Sequence, residues 1–360
     1  MIVIGVDPHK STHTAAAVDP VTNTDLGSLR IEATLADYRR MLAWAKQWPQ
    51  RQWAVENAEG LGHHLAQWLV ARGEVVLDVP TTATARVREL SRGARRKNDR
   101  IDAAGAACVA AAQGDARPVV REDHVDALEL LDERRMNLSQ NRTRTINQLH
   151  RLLRELLAGG VPTELTAAKA AAALRAVRPR STPERVRLQL CRELIADVRR
   201  LDQQLADNQA EVTRLLDEQG TRLREIDGVG PVLAARILGR TGHVRRFATP
   251  AAYATYNGTA PVEVASAEHE CHTLNRHGDR QLNSAIHTIA IVQVRMPDSA
   301  GRRYYDRKIA DGKTPRAALR CLKRHLSNQL WRTMLADEQR QLVDTRRELE
   351  ELLRRYRPAA

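Results

Sequence analysis

Aromatic side chains are scarce in this chain: Phe, Trp and Tyr make up 3% of it, with a single Phe. That argues against a surface on which successive bases of a single strand stack, because each base needs its own aromatic platform. Cysteine is as sparse. Cys108, Cys191, Cys271 and Cys321 lie far apart with no C-x-x-C spacing, which argues against a disulfide framework or a cysteine-built zinc site and predicts a reducing compartment. No apolar run approaches the ~20 residues of a membrane span. The opening MIVIGVDPHK reads straight into a strand rather than into a basic segment before a cleavable apolar stretch. The expectation is a cytoplasmic protein with no membrane partner.

Acidic residues are also in deficit. Lys and Arg number 57 against 44 Asp and Glu, a formal net charge of +13. Such an excess points to a polyanion, since cations that neutralise phosphates release condensed counterions. Apolar residues, at 42% of 360, are enough for a real core and for two or three domains.

The first part alternates strand and helix patterns. IVIGV (2–6) is a continuous apolar run of strand length, THTAAAV and LGSLRIEA suit antiparallel partners across the turn-forming DPVTNTD, and QWAVENA and VVLDVP read as further strands. Helical patterns cover DYRRMLAWAKQW, LGHHLAQWLVARG and a segment starting near Asp99. This predicts an α/β domain with a mixed sheet over 1–118. Residues 119–220 are charged and helical. Leu194, Val198, Leu201, Leu205, Val212 and Leu215 recur at three- and four-residue steps, with Asn208 at an intervening core position. Both a coiled-coil oligomerisation region and an intramolecular helical hairpin fit that pattern. From 221 to 336 the chain is mainly helical. There IDGVGPVLAARILGRTG resembles a helix-hairpin-helix, in which Gly228 and Gly230 let backbone N–H groups approach a phosphate. Residues 337–360 read as a charged helical tail.

Carboxylates carry the chemistry. The first strand ends in Asp7 and AVENA places Glu56 at a comparable edge, while in KNDRIDA (97–103) Asp99 and Asp102 are spaced i, i+3 on one helix face. A helix start packed on the sheet brings the four together. Two carboxylates ~4 Å apart repel by about 4 kcal/mol at an effective dielectric of 20, so the cluster calls for cations. Hard oxygen donors suit two Mg²⁺ or Mn²⁺ ions, which can stabilise both oxygens of an in-line phosphodiester displacement. Arg92, Arg95, Arg96, Lys97 and Arg100 surround the pair and are candidate phosphate contacts, as is Lys10 beside His9. Solvated ion pairs are the bland alternative, and Asp19, Glu59 and Asp78 are acids that a different threading would use.

The ordered set GVDPHK, AVENAEG, ARRKNDRIDAAGAA and IDGVGPVLAARILG resembles the DEDD transposases of bacterial insertion sequences, a family of bridge-RNA-guided recombinases, over roughly 1–335. The resemblance implies a RuvC-like, ribonuclease-H-type N-terminal domain with its metal acids at Asp7, Glu56, Asp99 and Asp102. It also implies a helical insert that assembles dimers and tetramers, and a C-terminal transposase domain with a nucleophilic serine. In YNGTAPVEVASAEHECHTLNRHGDRQLNSAI, Pro261 and the HGDRQLN turn match the family pattern, making Ser266 the nucleophile and its loop the site; Ala267 stands where glycine is usual. Ser284 and Thr273 are weaker substitutes, and Arg276 and Arg280 are candidate phosphate contacts. The spacing of His269, Cys271, His272 and His277 does not match a structural zinc site.

The expected function is therefore a bacterial, nucleoid-associated transposase acting on its element's ends and a target DNA, with a noncoding guide RNA supplying sequence recognition by pairing. A rival is a RuvC-like metal-dependent endonuclease acting on branched DNA with water as nucleophile. A non-catalytic nucleic-acid-binding protein is a second rival, one that would not need the acids.

Overall fold

A computed structural model of the chain describes residues 1–90, 98–112, 116–266, 269–275 and 278–355; within these, side chains are described except at 87–90, 262–274, 345 and 348–355. Arg92, Arg95, Arg96, Lys97 and Arg276, expected to meet phosphates, lie outside the described residues, as does Ala267. The chain forms two compact units, Met1–Glu122 and Asp123–Ala360.

The first unit is built on a six-stranded sheet of order β3-β2-β1-β4-β5-β6. Strands β1 (Ile2–Pro8), β2 (Thr12–Asp19) and β3 (Thr24–Glu32) make an antiparallel meander. Strand β4 (Arg51–Glu56) lies parallel to β1, β5 (Val76–Val79) parallel to β4, and β6 (Arg117–Pro118) antiparallel to β5. Helices α1 (Leu35–Ala45) and α2 (His63–Val70) precede and follow β4, and α3 (Thr81–Leu90) and α4 (Asp99–Ala112) follow β5. The sequence did not suggest α3; its TTATARVREL carries β-branched residues that favour helix weakly.

The unbroken apolar run of β1 is explained by burial on both faces. Ile4, Val6, Trp53 and Val55 face Met41 of α1 and Leu65 and Leu69 of α2. On the opposite face Val3, Ala54 and Val79 meet Ala106, Ala107 and Val109 of α4. That second layer is thin because α4 presents mostly alanines. A Cβ at Gly5 would sit 1.8 Å from the carbonyl oxygen of Ala103, so the helix lies on β1 only because residue 5 has no side chain.

The second unit is largely helical. It contains α5 (His124–Leu156), α6 (Ala167–Leu174), α7 (Thr182–Gln219), α8 (Pro231–Thr241), α9 (Pro250–Tyr256), the hairpin β7 (Pro261–Ser266) and β8 (His269–Leu274), α10 (Arg280–Arg295), α11 (Ala300–Ala310) and α12 (Pro315–Arg355). Asp123 caps α5 in a reciprocal arrangement with Asp126, and Ser181 caps α7, whose end is marked by Gly220 at φ +66°.

Helices α5 and α7 form an antiparallel hairpin, tied by Arg142–Asp202 and Arg187–Glu155 ion pairs and by Arg135 donating to the Leu205 carbonyl. The apolar stripe of α7, including Cys191, Ile195, Val198 and Val212, is buried within this chain. Asn208 is buried among it and donates to the Leu131 carbonyl at 3.0 Å. Helix α12 runs through residue 336 without a break, and Asp337, 4% exposed, accepts bonds from Thr221 and from the backbone and side chain of Arg222. Among the described residues no helix is long and apolar enough to cross a membrane.

Candidate metal centre

Two neighbouring parallel strands deliver the first two acids. Val6 of β1 and Val55 of β4 are in register, so Asp7 and Glu56 occupy adjacent positions at the C-terminal end of the sheet. Sheet ends of this kind are where α/β folds place ligands, because the strands stop there and their side chains converge. Asp99 and Asp102 enter from the first turn of α4. Asn98 starts that helix: its carbonyl accepts from the N–H groups of Ile101 and Asp102, and its side chain accepts from Arg100 N–H. The absence of a side chain at Gly5, two residues before Asp7 on the same face of β1, lets this helix start approach the strand.

Asp7 and Asp102 are each 8% exposed. Burial, the largest influence, pushes the Asp7 carboxyl up to about 6; His9 opposes the rise, and the charges of Glu56, Asp102 and Asp99 add to it. Asp7 therefore lies within the field of the other three predicted acids. His9 stands between two of them, with Nδ1 3.4 Å from Asp7 and Nε2 3.6 Å from Asp99. Asp99 also faces Arg30 at 3.8 Å. Ligand atoms of Asp7, His9 and Asp99 all lie within 4.8 Å of one another. Glu56 is held by Thr84, whose hydroxyl is 2.8 Å from its Oε1 and 2.9 Å from the Thr81 carbonyl.

The donor set fits a hard divalent cation. Its oxygens are carboxylates, two of the acids are nearly buried, and the raised Asp7 pKa records a cost of ionisation that a cation removes.

The alternative acids have other tasks. Asp19 is at the opposite end of the sheet and bonds the N–H of Val21, Asp78 accepts the N–H of Ala58, and Glu59 is exposed. Arg100 is engaged with Asp25 at 2.8 Å, and Lys10 is exposed in the turn between β1 and β2. Neither Thr84 nor the bridging role of His9 was legible in sequence. Thr84 lies in the unforeseen α3, and an HK pair after a strand has no distinctive spacing.

Other predicted residues belong to the second unit. Ser266, expected in a loop, is the last residue of β7, opposite His269 across the hairpin turn. Thr273 pairs with Val262, and Ser284 lies exposed in α10. Gly228 takes φ +83° and abuts α10, where an added Cβ would be 3.1 Å from Val292. Gly230 caps α8 just before Pro231, and Arg280 is exposed at the start of α10.

A meander of three antiparallel strands joined to parallel β4 and β5, with carboxylates at the strand ends, fits the ribonuclease-H-like class of α/β domains. Comparison with known proteins carries this further. A model of the IS110-type DEDD transposases, described as a transposase, matches residues 4–157, and a model of the IS116/IS110/IS902 transposase family matches residues 220–306. The chain belongs to the IS110-type DEDD transposases, enzymes that cleave and rejoin DNA strands. It is 26% identical to an uncharacterized 44.8 kDa protein of insertion element IS116 from Streptomyces clavuligerus, covering 94% of this chain and 95% of that one. It is 28% identical to a putative transposase, y4pF/y4sB, of Sinorhizobium fredii, over 94% and 85% of the two. Among solved structures, RuvC of Thermus thermophilus in complex with a Holliday junction substrate aligns with 33% of this chain and 99% of its own, at 15% identity and a TM-score of 0.26.

Proposed function

We propose that this transposase excises and inserts its element with Asp7, Glu56, Asp99 and Asp102 as a divalent-metal site and Ser266 as nucleophile, guided by a structured noncoding RNA. The convergence of three further carboxylates on a desolvated Asp7 carries the reading. Such an arrangement is unfavourable for the fold alone and favourable for binding cations. Mg²⁺ or Mn²⁺ held by these carboxylates supplies the charge that stabilises a phosphodiester oxygen as its bond breaks.

The chain's own side chains do the rest. His9 stands between Asp7 and Asp99 with a ring nitrogen facing each, while Thr84 donates to one oxygen of Glu56. The Ser266 hydroxyl attacks phosphorus. Its proton passes to solvent, the P–O bond to one sugar breaks, and the departing sugar oxygen takes up a proton from solvent to leave as a free hydroxyl. The phosphoserine ester conserves the bond, so an incoming sugar hydroxyl can reverse the step and rejoin strands without ATP. The match of Pro261 and the HGDRQLN segment to the family pattern supports this role for Ser266, the last residue of β7.

Further parts of the reading rest on the family resemblance and on charge. Pairing of the RNA with element ends and target DNA supplies sequence, and a chain with net charge +13 supplies phosphate binding. The Gly228–Gly230 turn before α8 offers backbone N–H groups to a DNA phosphate. Dimers assembling into tetramers bring the reacting strands together.

The test is to incubate the protein with Mg²⁺, the element's ends and RNA from the adjoining noncoding sequence, then digest and search for a nucleotide-bearing peptide by mass spectrometry. A nucleotide on Ser266, lost in Ser266→Ala together with cleavage, is expected. Cleavage by Ser266→Ala at the wild-type rate with no adduct would establish the water-dependent endonuclease instead. Omitting the RNA without loss of strand exchange would remove the guide from the reading.

A further inference from the structure

Lys323 is a cation that no carboxylate answers among the residues whose side chains are described. It lies on α12, part-buried, and its ammonium donates to Asn283 Oδ1 at 2.7 Å. Among the described residues no acid pairs with it, and burial alone depresses its pKa. Arg236 and Arg240 in this unit have acidic partners in Asp132 and Asp279, whereas the neighbouring Arg324, also held down by burial, is turned to the Pro250 carbonyl. A desolvated charge without a partner is costly, and a fold that keeps one commonly reserves it for an anion that arrives from outside.

The surroundings of Lys323 are organised to hold it. Asn283 cannot rotate its amide freely, because Nδ2 donates to the Asn257 carbonyl at 2.8 Å. Asn257 is fully buried; it donates to Ser327 Oγ at 2.7 Å and accepts from Thr259. Ser327 is four residues beyond Lys323 on α12, so the chain of bonds closes on the helix from which it started. One ammonium hydrogen is spent on Asn283, which leaves two for a ligand. His287, one turn beyond Asn283 on α10, is held below the usual imidazole value by partial burial and, second, by the charge of Lys323.

This cluster stands at the root of the β7–β8 hairpin. The residues entering and leaving the hairpin meet there: a Cβ at Gly278 would be 2.4 Å from the Gly258 nitrogen, and one at Gly258 would be 3.1 Å from Asn283 Nδ2. Both glycines are needed for that approach, so the hairpin's base and the Lys323–Asn283 pair are positioned together.

We propose that Lys323, held by Asn283, is a binding point for one backbone phosphate of duplex DNA at the base of this hairpin. The inference does not depend on Ser266 being the nucleophile, because it concerns binding rather than bond exchange.

The test measures affinity of the full chain for a short fluorescein-labelled DNA duplex by anisotropy across a salt series, for wild type, Lys323→Gln, Lys323→Arg and Ser266→Ala. Losing one phosphate contact lowers the slope of log K against log salt by about 0.9, which at ~0.1 M salt is roughly an eightfold loss of affinity. Lys323→Gln is expected to show that loss with an unchanged or raised unfolding midpoint, Lys323→Arg to retain the wild-type slope, and Ser266→Ala to leave the slope unaltered. An unchanged slope in Lys323→Gln would overturn the proposal. So would a slope that falls for a labelled structured RNA and not for the duplex. If Lys323→Gln unfolds, Lys323→Met, which keeps the apolar stem without the charge, takes its place, and a wild-type slope in that variant would equally overturn the proposal.

Discussion

Replacing Asp7 by Asn should stabilise the metal-free protein while abolishing its activity. The Asp7 carboxyl is raised from an ordinary 3.8 to about 6, chiefly by burial and further by three like charges. A rise of that size is worth about 3 kcal/mol at 1.36 kcal/mol per unit. Discounted for the solvent that still reaches the site and for the lost attraction to His9, about 1–2 kcal/mol remains. The sign follows from proton binding. Between ~4 and ~6 the native state holds the Asp7 proton more tightly than the unfolded chain, so this contribution makes stability fall as pH rises and is fully unfavourable above ~6. Unfolding of the first unit can be followed by tryptophan fluorescence, since Trp44, Trp48, Trp53 and Trp68 are four of the chain's five tryptophans. Without metal at about pH 7.5 the variant should unfold at higher urea than wild type, and at about pH 5 the difference should shrink. Mg²⁺ at ~10 times its dissociation constant should add about 1.4 kcal/mol to wild type and little to the variant. A variant less stable than wild type without metal, or equal stabilisation of both by Mg²⁺, would refute the argument that this cluster is strained until a cation binds.

Other perturbations test the scaffold. Gly5→Ala puts a methyl against the Ala103 carbonyl, so it should cost at least 1–3 kcal/mol and abolish DNA cleavage by displacing Asp99 and Asp102; urea unfolding and a cleavage assay read the two effects. Thr84→Val removes the hydroxyl that holds Glu56 and should lower cleavage while a higher Mg²⁺ concentration restores part of it, as a metal titration would reveal. Asp132→Ala leaves Arg236 without its bidentate partner and should destabilise the second unit by about 3–5 kcal/mol, whereas replacing both by apolar residues should cost far less in the same urea experiment. Asn208→Leu removes a side-chain oxygen that has no partner among the described residues and should be neutral or stabilising by about 1 kcal/mol in thermal unfolding.

The linear chain was informative wherever a pattern repeats over a few residues. The apolar run of β1, the alternation of the meander and the start of α4 near Asp99 are local signals of burial and capping, and each of these elements forms about where its pattern lies. The acids could be selected the same way, because Asp7 and Glu56 end strand patterns and Asp99 and Asp102 share a helix face. The α7 stripe announced a buried seam but not its partner. An apolar face is non-directional and packs equally well on another copy or on α5, and here α5 covers it. The family resemblance put Ser266 in a loop, whereas backbone pairing with His269 puts it in a strand.

Only the tertiary structure decided which groups meet. His9 is drawn between Asp7 and Asp99, Thr84 reaches Glu56 across 28 residues, and Lys323 reaches Asn283 across 40. Gly5 shows why. In sequence it is one glycine in a strand, with nothing to mark it. Its importance comes from the Ala103 carbonyl 1.8 Å from where a side chain would be, a distance set by the docking of a helix nearly a hundred positions away. Propensity and periodicity depend on neighbours along the chain; the grouping of the four acids, their supports and the Lys323–Asn283 pair depend on distances that exist only once the sheet and helices have packed.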